Sequence, residues 1–127
     1  MSRITLLVLG TVSVLTGLFI FFAPRAFYEI IPGLDLMGPF SIHFIRDVGL
    51  AFLASGGALF WGGWRRNRSV AICGAAWPAL HAAFHLQIWA MRGFPFDHIF
   101  LFDLVTVITT AALALWAAIR LQESLAS

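Results

Sequence analysis

The chain has 127 residues, of which 61% are hydrophobic and 11% charged, against about 45–50% apolar and about 25% charged in soluble domains. A mean hydropathy of +0.91 means that so many Phe, Leu, Ile and Trp side chains need lipid around them, which leaves no support for a soluble enzyme. The net charge of +2 rests on eight Arg and no Lys, spread along the chain, so no basic face for nucleic acid is formed; the lone Cys73 excludes an internal disulfide.

Four apolar segments follow in chain order: Ile4–Ala23, Ser41–Gly62, Val70–Met91 and His98–Ile119, each 20 to 22 residues long. About 20 helical residues cross a hydrocarbon core of ~30 Å, and no segment alternates as a membrane β-strand would. The expected fold is therefore an all-α membrane protein, a single four-helix transmembrane domain over residues 1–127. The first segment is longer than a signal-peptide core, and Pro24-Arg25-Ala26 is a poor cleavage site, so it reads as a retained helix. A longer link, punctuated by Pro32-Gly33 and Gly38-Pro39, leads to the second segment. The third follows a short Arg-rich loop, Gly63–Ser69, and the fourth a tight loop from Arg92 to Asp97. Arg3, Arg65, Arg66, Arg68 and Arg120 fall on one face, against Arg25 and Arg92 with Arg46 on the other. Positive charge concentrates on cytoplasmic loops, so both ends are expected inside, in the cell membrane, with lipid as the main partner and a larger membrane complex or a homo-oligomer as further ones.

This threading brings the polar residues to one depth. His43, Arg46 and Asp47 lie at the outer start of the second segment, His81 and His85 in the outer half of the third, and Asp97, His98 and Asp103 at the outer start of the fourth. At about 100° per residue, His43 and Asp47 share a face that Ala54, Ala58 and Gly62 continue, and small residues at that spacing mark a packing face. Asp103, Thr106, Thr110, Ala114 and Ala118 form a similar stripe. Pro78 withdraws a backbone donor from the carbonyl of Gly74, one turn before His81.

Charged groups at membrane depth cost ~2.5–3.5 kcal/mol each on insertion scales and mark function when they face inward. His81 and His85, one turn apart, suit two ligands of a metal, with His43 a third and His98 or Asp103 a fourth. Asp47 would orient His43 through its other ring nitrogen. Neutral imidazole suits copper, zinc or iron, or a haem. Arg46, Asp47, Asp103 and Trp77 are the candidate contacts of a polar ligand. The competing interpretation makes the same groups a packing network: His to Asp and Arg to Asp across helices, Asp97 and His98 capping a helix, Trp77 and Trp89 anchoring at the interface.

Phe27-Tyr28-Glu29-Ile30-Ile31-Pro32-Gly33-Leu34, then Gly38-Pro39-Phe40-Ser41-Ile42-His43-Phe44-Ile45-Arg46-Asp47-Val48-Gly49, resembles a group of small four-helix bacterial membrane proteins common in actinobacteria. Their pattern reads Gly-Pro-Tyr-Asn-Glu-His-x-x-Arg-Asp-x-Gly, followed by Pro-His-x-x-x-His. His43, Arg46, Asp47, Gly49, His81 and His85 match it, over roughly residues 27 to 90. Ser41 and Ile42 stand where the pattern has Asn-Glu, and Pro78 does not adjoin His81. More loosely, the first two segments are similar to DoxX-type proteins, some linked to quinone or thiol redox systems. The resemblance implies that these polar residues act as a unit and implies no particular reaction. Two functions follow. One is an outer-half His/Asp/Arg site for a metal, haem or small polar ligand in a redox- or transport-associated process. The other is an accessory subunit of a larger membrane complex.

Overall fold

All regular structure that the computed structural model describes, over residues 1–122, is helical. Residues 123–127, the tail of the expected domain, lie outside the described residues. The helices are α1 (Ser2–Phe22), α2 (Pro24–Ile30), α3 (Ile42–Arg65), α4 (Arg68–Met91) and α5 (His98–Ile119), with a 3-10 turn, Leu34–Met37, between α2 and α3. α1, α3, α4 and α5 are the four that are long and apolar enough to cross a membrane.

Capping explains the starts of three of them. The side chains of Ser41, Asn67 and Asp97 accept hydrogen bonds from the amides of Phe44 (3.4 Å), Val70 (3.0 Å) and Phe100 (2.8 Å), satisfying donors that a helix N-terminus leaves free. The α3–α4 connection is tighter than the expected loop Gly63–Ser69, because only Arg66 and Asn67 separate the two helices. Arg66 adopts a left-handed conformation (φ 52°), and the Asn67 amide donates to the Gly62 carbonyl at 2.9 Å, a closure that ends the helix within one turn. α2 and the turn after it fold over the end of the bundle opposite the α3–α4 turn. There the Tyr28 hydroxyl donates to the Gly38 carbonyl at 2.7 Å, and Gly33 lies against Ile99.

Glycine sets the spacing of α1 and α3. A Cβ on Gly10 would lie 2.6 Å from the Phe60 nitrogen, one on Gly17 2.8 Å from the Gly49 carbonyl oxygen, and one on Gly56 2.8 Å from the Val14 nitrogen. Apolar burial gives little drive to associate helices in lipid, so backbone-to-backbone packing of this kind has to supply it. α3 meets α4 in the same way, through Gly62 against Ala71 and Gly74 against Leu59. At the end of the bundle that carries the α3–α4 turn, Leu6, Leu59, Ala71, Ala75, Ala114 and Ala117 close an apolar core.

This seam corrects the expected phase of α3 from His43 to Ala54, while Ala58 and Gly62, the far end of the expected face, do pack against α4. Ala54 is exposed, and the buried face runs through Ile45, Gly49, Gly56, Leu59 and Gly62. At about 100° per residue, His43 stands about 200° from Ile45, so the polar first turns point away from the bundle. α3 has small residues on two sides, and the glycine side is the one that fits Gly10 and Gly17 of α1.

Pro78 lies inside α4, and the Gly74 carbonyl that it leaves without a backbone donor is met from α3. The buried Ser55 hydroxyl donates to it at 2.7 Å, the kind of replacement that makes proline tolerable in a membrane helix.

If the α1–α3 seam sets the fold, Gly56→Ala should cost about 1–3 kcal/mol through overpacking. Gly57→Ala, where an added Cβ meets nothing within 4 Å, should be neutral or stabilising. Unfolding titrations of the two variants in mixed micelles check this, and equal destabilisation would contradict it.

Candidate functional site

Four side chains at i, i+4 spacing form one ladder on α4: Trp77, His81, His85 and Trp89. The rings of Trp77 and His81 stack at 5.0 Å with an 8° interplanar angle, and His81 meets His85 edge to face at 4.6 Å. Phe52 of α3 backs Trp77 in a T-shaped contact at 4.8 Å. The ladder ends on Asp103 of α5. Its Oδ2 lies 2.7 Å from Nδ1 of His85 and 3.2 Å from Nε1 of Trp89. Indole nitrogen can only donate, so this oxygen accepts from Trp89, and the same carboxylate favours the His85 tautomer with its proton on Nδ1. Nε2 of His85 is then an acceptor. Asp103 is 7% exposed, and a carboxylate so placed depends on such partners.

α5 is irregular where it passes this ladder. Leu104–Thr109 forms a π-helical stretch, and the Thr109 hydroxyl reaches back five residues to the Leu104 carbonyl at 2.7 Å. Insertions of this type inside α-helices recur at functional sites. The extra residue also shifts the expected stripe. Asp103, Ala114 and Ala118 are buried, joined by Ala111 and Ala117, while Thr106 is exposed. Between the helices lies a cavity of ≈ 50 Å³ lined by Trp77, Pro78 and His81 of α4, Thr106 and Thr110 of α5 and Ser13 of α1, among others. At ~10–15 Å³ per water it has room for about four waters or a molecule of similar size.

Three of the eight expected site residues besides His85 therefore meet at this place: Trp77, His81 and Asp103. The other four do not. His43 and Asp47 pair with each other at 3.1 Å, with side chains 86% and 58% exposed, because α3 turns this face outward. Arg46 is also exposed. Its Nε donates to the Phe21 carbonyl at 3.2 Å, and its guanidinium lies 5.4 Å from the Phe21 ring, so it closes the C-terminal end of α1 instead of pairing with Asp47 or Asp103. His98 is exposed in the first turn of α5. Its neighbour Asp97 is a helix cap whose carboxyl the Phe100 amide holds below the usual carboxylate range, with Arg92 at 3.1 Å adding to the effect.

The four histidines expected as metal ligands, His43, His81, His85 and His98, are not all brought together. Among the described residues no three His, Cys, Asp or Glu side chains are placed to hold a metal ion, with His43 and His98 outside and Nδ1 of His85 engaged by Asp103. Trp89, expected from the sequence as an interfacial anchor, is instead a member of this site. Its signal was the unbroken i+4 series from Trp77, which places an indole N–H one turn beyond His85. Comparison of the chain with protein-family models, with curated proteins and with solved structures finds no match.

Removing the carboxylate leaves two donors without an acceptor. Asp103→Ala should therefore cost on the order of 1–3 kcal/mol for each N–H that stays buried. His85→Ala and Asp103→Ala should be non-additive by about 1 kcal/mol or more in a double-mutant cycle. Additive costs would show that the contact contributes nothing.

Proposed function

We propose that the chain is a multi-pass protein of the cell membrane that takes a small, uncharged polar ligand into the α4–α5 cavity in a redox- or transport-associated process. The observation that carries this reading is the order of groups behind the cavity: Trp77 and His81 at its wall, His85 next to His81, and Asp103 fixing His85 from the buried side. An imidazole oriented by a carboxylate is suited to accept a hydrogen bond or a proton from a neighbour. The hydroxyls of Ser13, Thr106 and Thr110 add polarity to a cavity otherwise walled by aromatic and aliphatic groups, and such a balance suits a neutral ligand better than an ion.

Entry is from the outer face in this reading. Arg3, the Arg65–Arg68 turn and Arg120 are then cytoplasmic, in keeping with the preference of Arg for that side. Apolar side chains close the core at that end, so in this reading the cavity is a pocket and not a through-channel. The likeness to small four-helix bacterial membrane proteins belongs to the same proposal, restricted to His81 and His85 as the matched residues that share this site.

The test uses formamide and imidazole as probes, with the full chain in lipid nanodiscs. A ligand that binds the folded state raises its stability in a saturable way. Both probes should raise the melting temperature of the wild-type protein, and Thr110→Leu, which fills the cavity, should remove that rise. Zinc, copper and iron should not bind stoichiometrically. A rise that survives Thr110→Leu, or none in the wild type, would contradict the proposal and favour the accessory-subunit function.

A further inference from the structure

One helix face is left over once the bundle is built. His43, Asp47, Leu50, Ala54, Gly57 and Trp61 are all exposed on α3, and their spacing alternates four and three residues. That is the seam that two supercoiled helices present to each other. Its middle is low, for an added Cβ at Gly57 would meet nothing within 4 Å. Small residues there would let a second backbone come close, as they do between α1 and α3.

The charged end of the seam names the occupant. His43, Arg46 and Asp47 lie in the first two turns of α3, exposed toward lipid or headgroups, a position where ionisable groups are costly unless paired. Among the described residues, the Arg46 guanidinium makes a single hydrogen bond, through Nε to Phe21, which leaves its two terminal nitrogens to donate. In a parallel pair of such helices, a side chain at the Asp47 position enters a hole bordered by the residue just before its counterpart, which is Arg46 of the other copy. Two copies inserted in the same direction are parallel, and a two-fold axis makes each contact occur twice. Asp47 also faces its own counterpart across the axis, and the two Asp47–Arg46 pairs, with His43 3.1 Å from each Asp47, offset that like-charge contact. A lipid phosphate is a poorer match, because Asp47 beside Arg46 cancels the positive charge that would hold it.

We propose that the outward face of α3 docks against the same face of a second copy of this chain, in a parallel two-fold dimer with reciprocal Asp47–Arg46 pairs.

The test uses the full chain in nanodiscs large enough for two copies, on a Cys73→Ala background, because Cys73 is itself exposed. Mild oxidation should link Gly57→Cys into a covalent dimer and leave Leu15→Cys, on the exposed face of α1, unlinked. Without cross-linking, the wild type should show twice the protomer mass of 14.0 kDa. Asp47→Arg should weaken association by about tenfold or more, as like charges meet at both contacts. Mixing Asp47→Arg with Arg46→Asp should restore it, since both contacts in the mixed pair regain opposite charges. The cysteine and Asp47→Arg arms decide even where Arg46→Asp, which also removes the α1 contact, fails to insert. A monomeric wild type, equal linking of Leu15→Cys and Gly57→Cys, or undiminished association of Asp47→Arg overturns the proposal. So does loss of bound anionic lipid on Arg46→Asp with no change in mass.

Discussion

The Asp103 carboxylate is buried in a bundle whose four main helices are long and apolar enough to span a bilayer, and the rest of the candidate site follows from its need for donors. It takes them from His85 and Trp89 of α4, one turn apart on a helix that already faces α5. Satisfying one acidic group thus fixes the ring of His85, and through the edge-to-face contact at 4.6 Å it positions His81 at the cavity wall. The π-helical stretch that begins just after Asp103 lets α5 carry this residue into the bundle near its N-terminal end and still present Ala111, Ala114 and Ala118 to the core further along.

Backbone satisfaction governs the other half of the architecture. α1 and α3 close on glycine, and that same close approach places Ser55 where its hydroxyl reaches the Gly74 carbonyl left free by Pro78. Proline within α4 therefore opens space beside His81 without leaving a buried polar atom unpaired; among the described residues no buried side-chain donor or acceptor lacks a partner. Satisfied polar groups of this kind specify one arrangement of helices where apolar packing alone would tolerate several.

How much of this was legible depended on which constraint governs each residue. The four long helices were readable because apolar runs of about 20 residues suit a helix that can cross a bilayer, and the observed bounds, such as His98–Ile119, follow those runs closely. The orphaned Gly74 carbonyl was readable from Pro78 alone. Its partner was not, because Ser55 reaches it only if α3 turns its glycine side to α1, and α3 carries small residues on a second side as well. That ambiguity misplaced His43, Arg46 and Asp47 inside the bundle. His81 and His85 were recognisable from their spacing and depth, whereas Trp89 was hidden by the habit of Trp at membrane interfaces. The partner of His85 was open among several carboxylates until the tertiary packing brought Asp103 to it.

The central claim is that Asp103 holds His85 as the Nδ1–H tautomer with Nε2 free to accept. Solid-state nitrogen NMR of histidine-labelled protein in bilayers at neutral pH reads this directly, with the His85 signals assigned by their loss in His85→Gln. The account predicts a protonated Nδ1 and an unprotonated Nε2 for His85, and a loss of that preference in Asp103→Ala. A protonated Nε2 with a bare Nδ1 in the wild type, or a tautomer ratio that ignores Asp103→Ala, would contradict it.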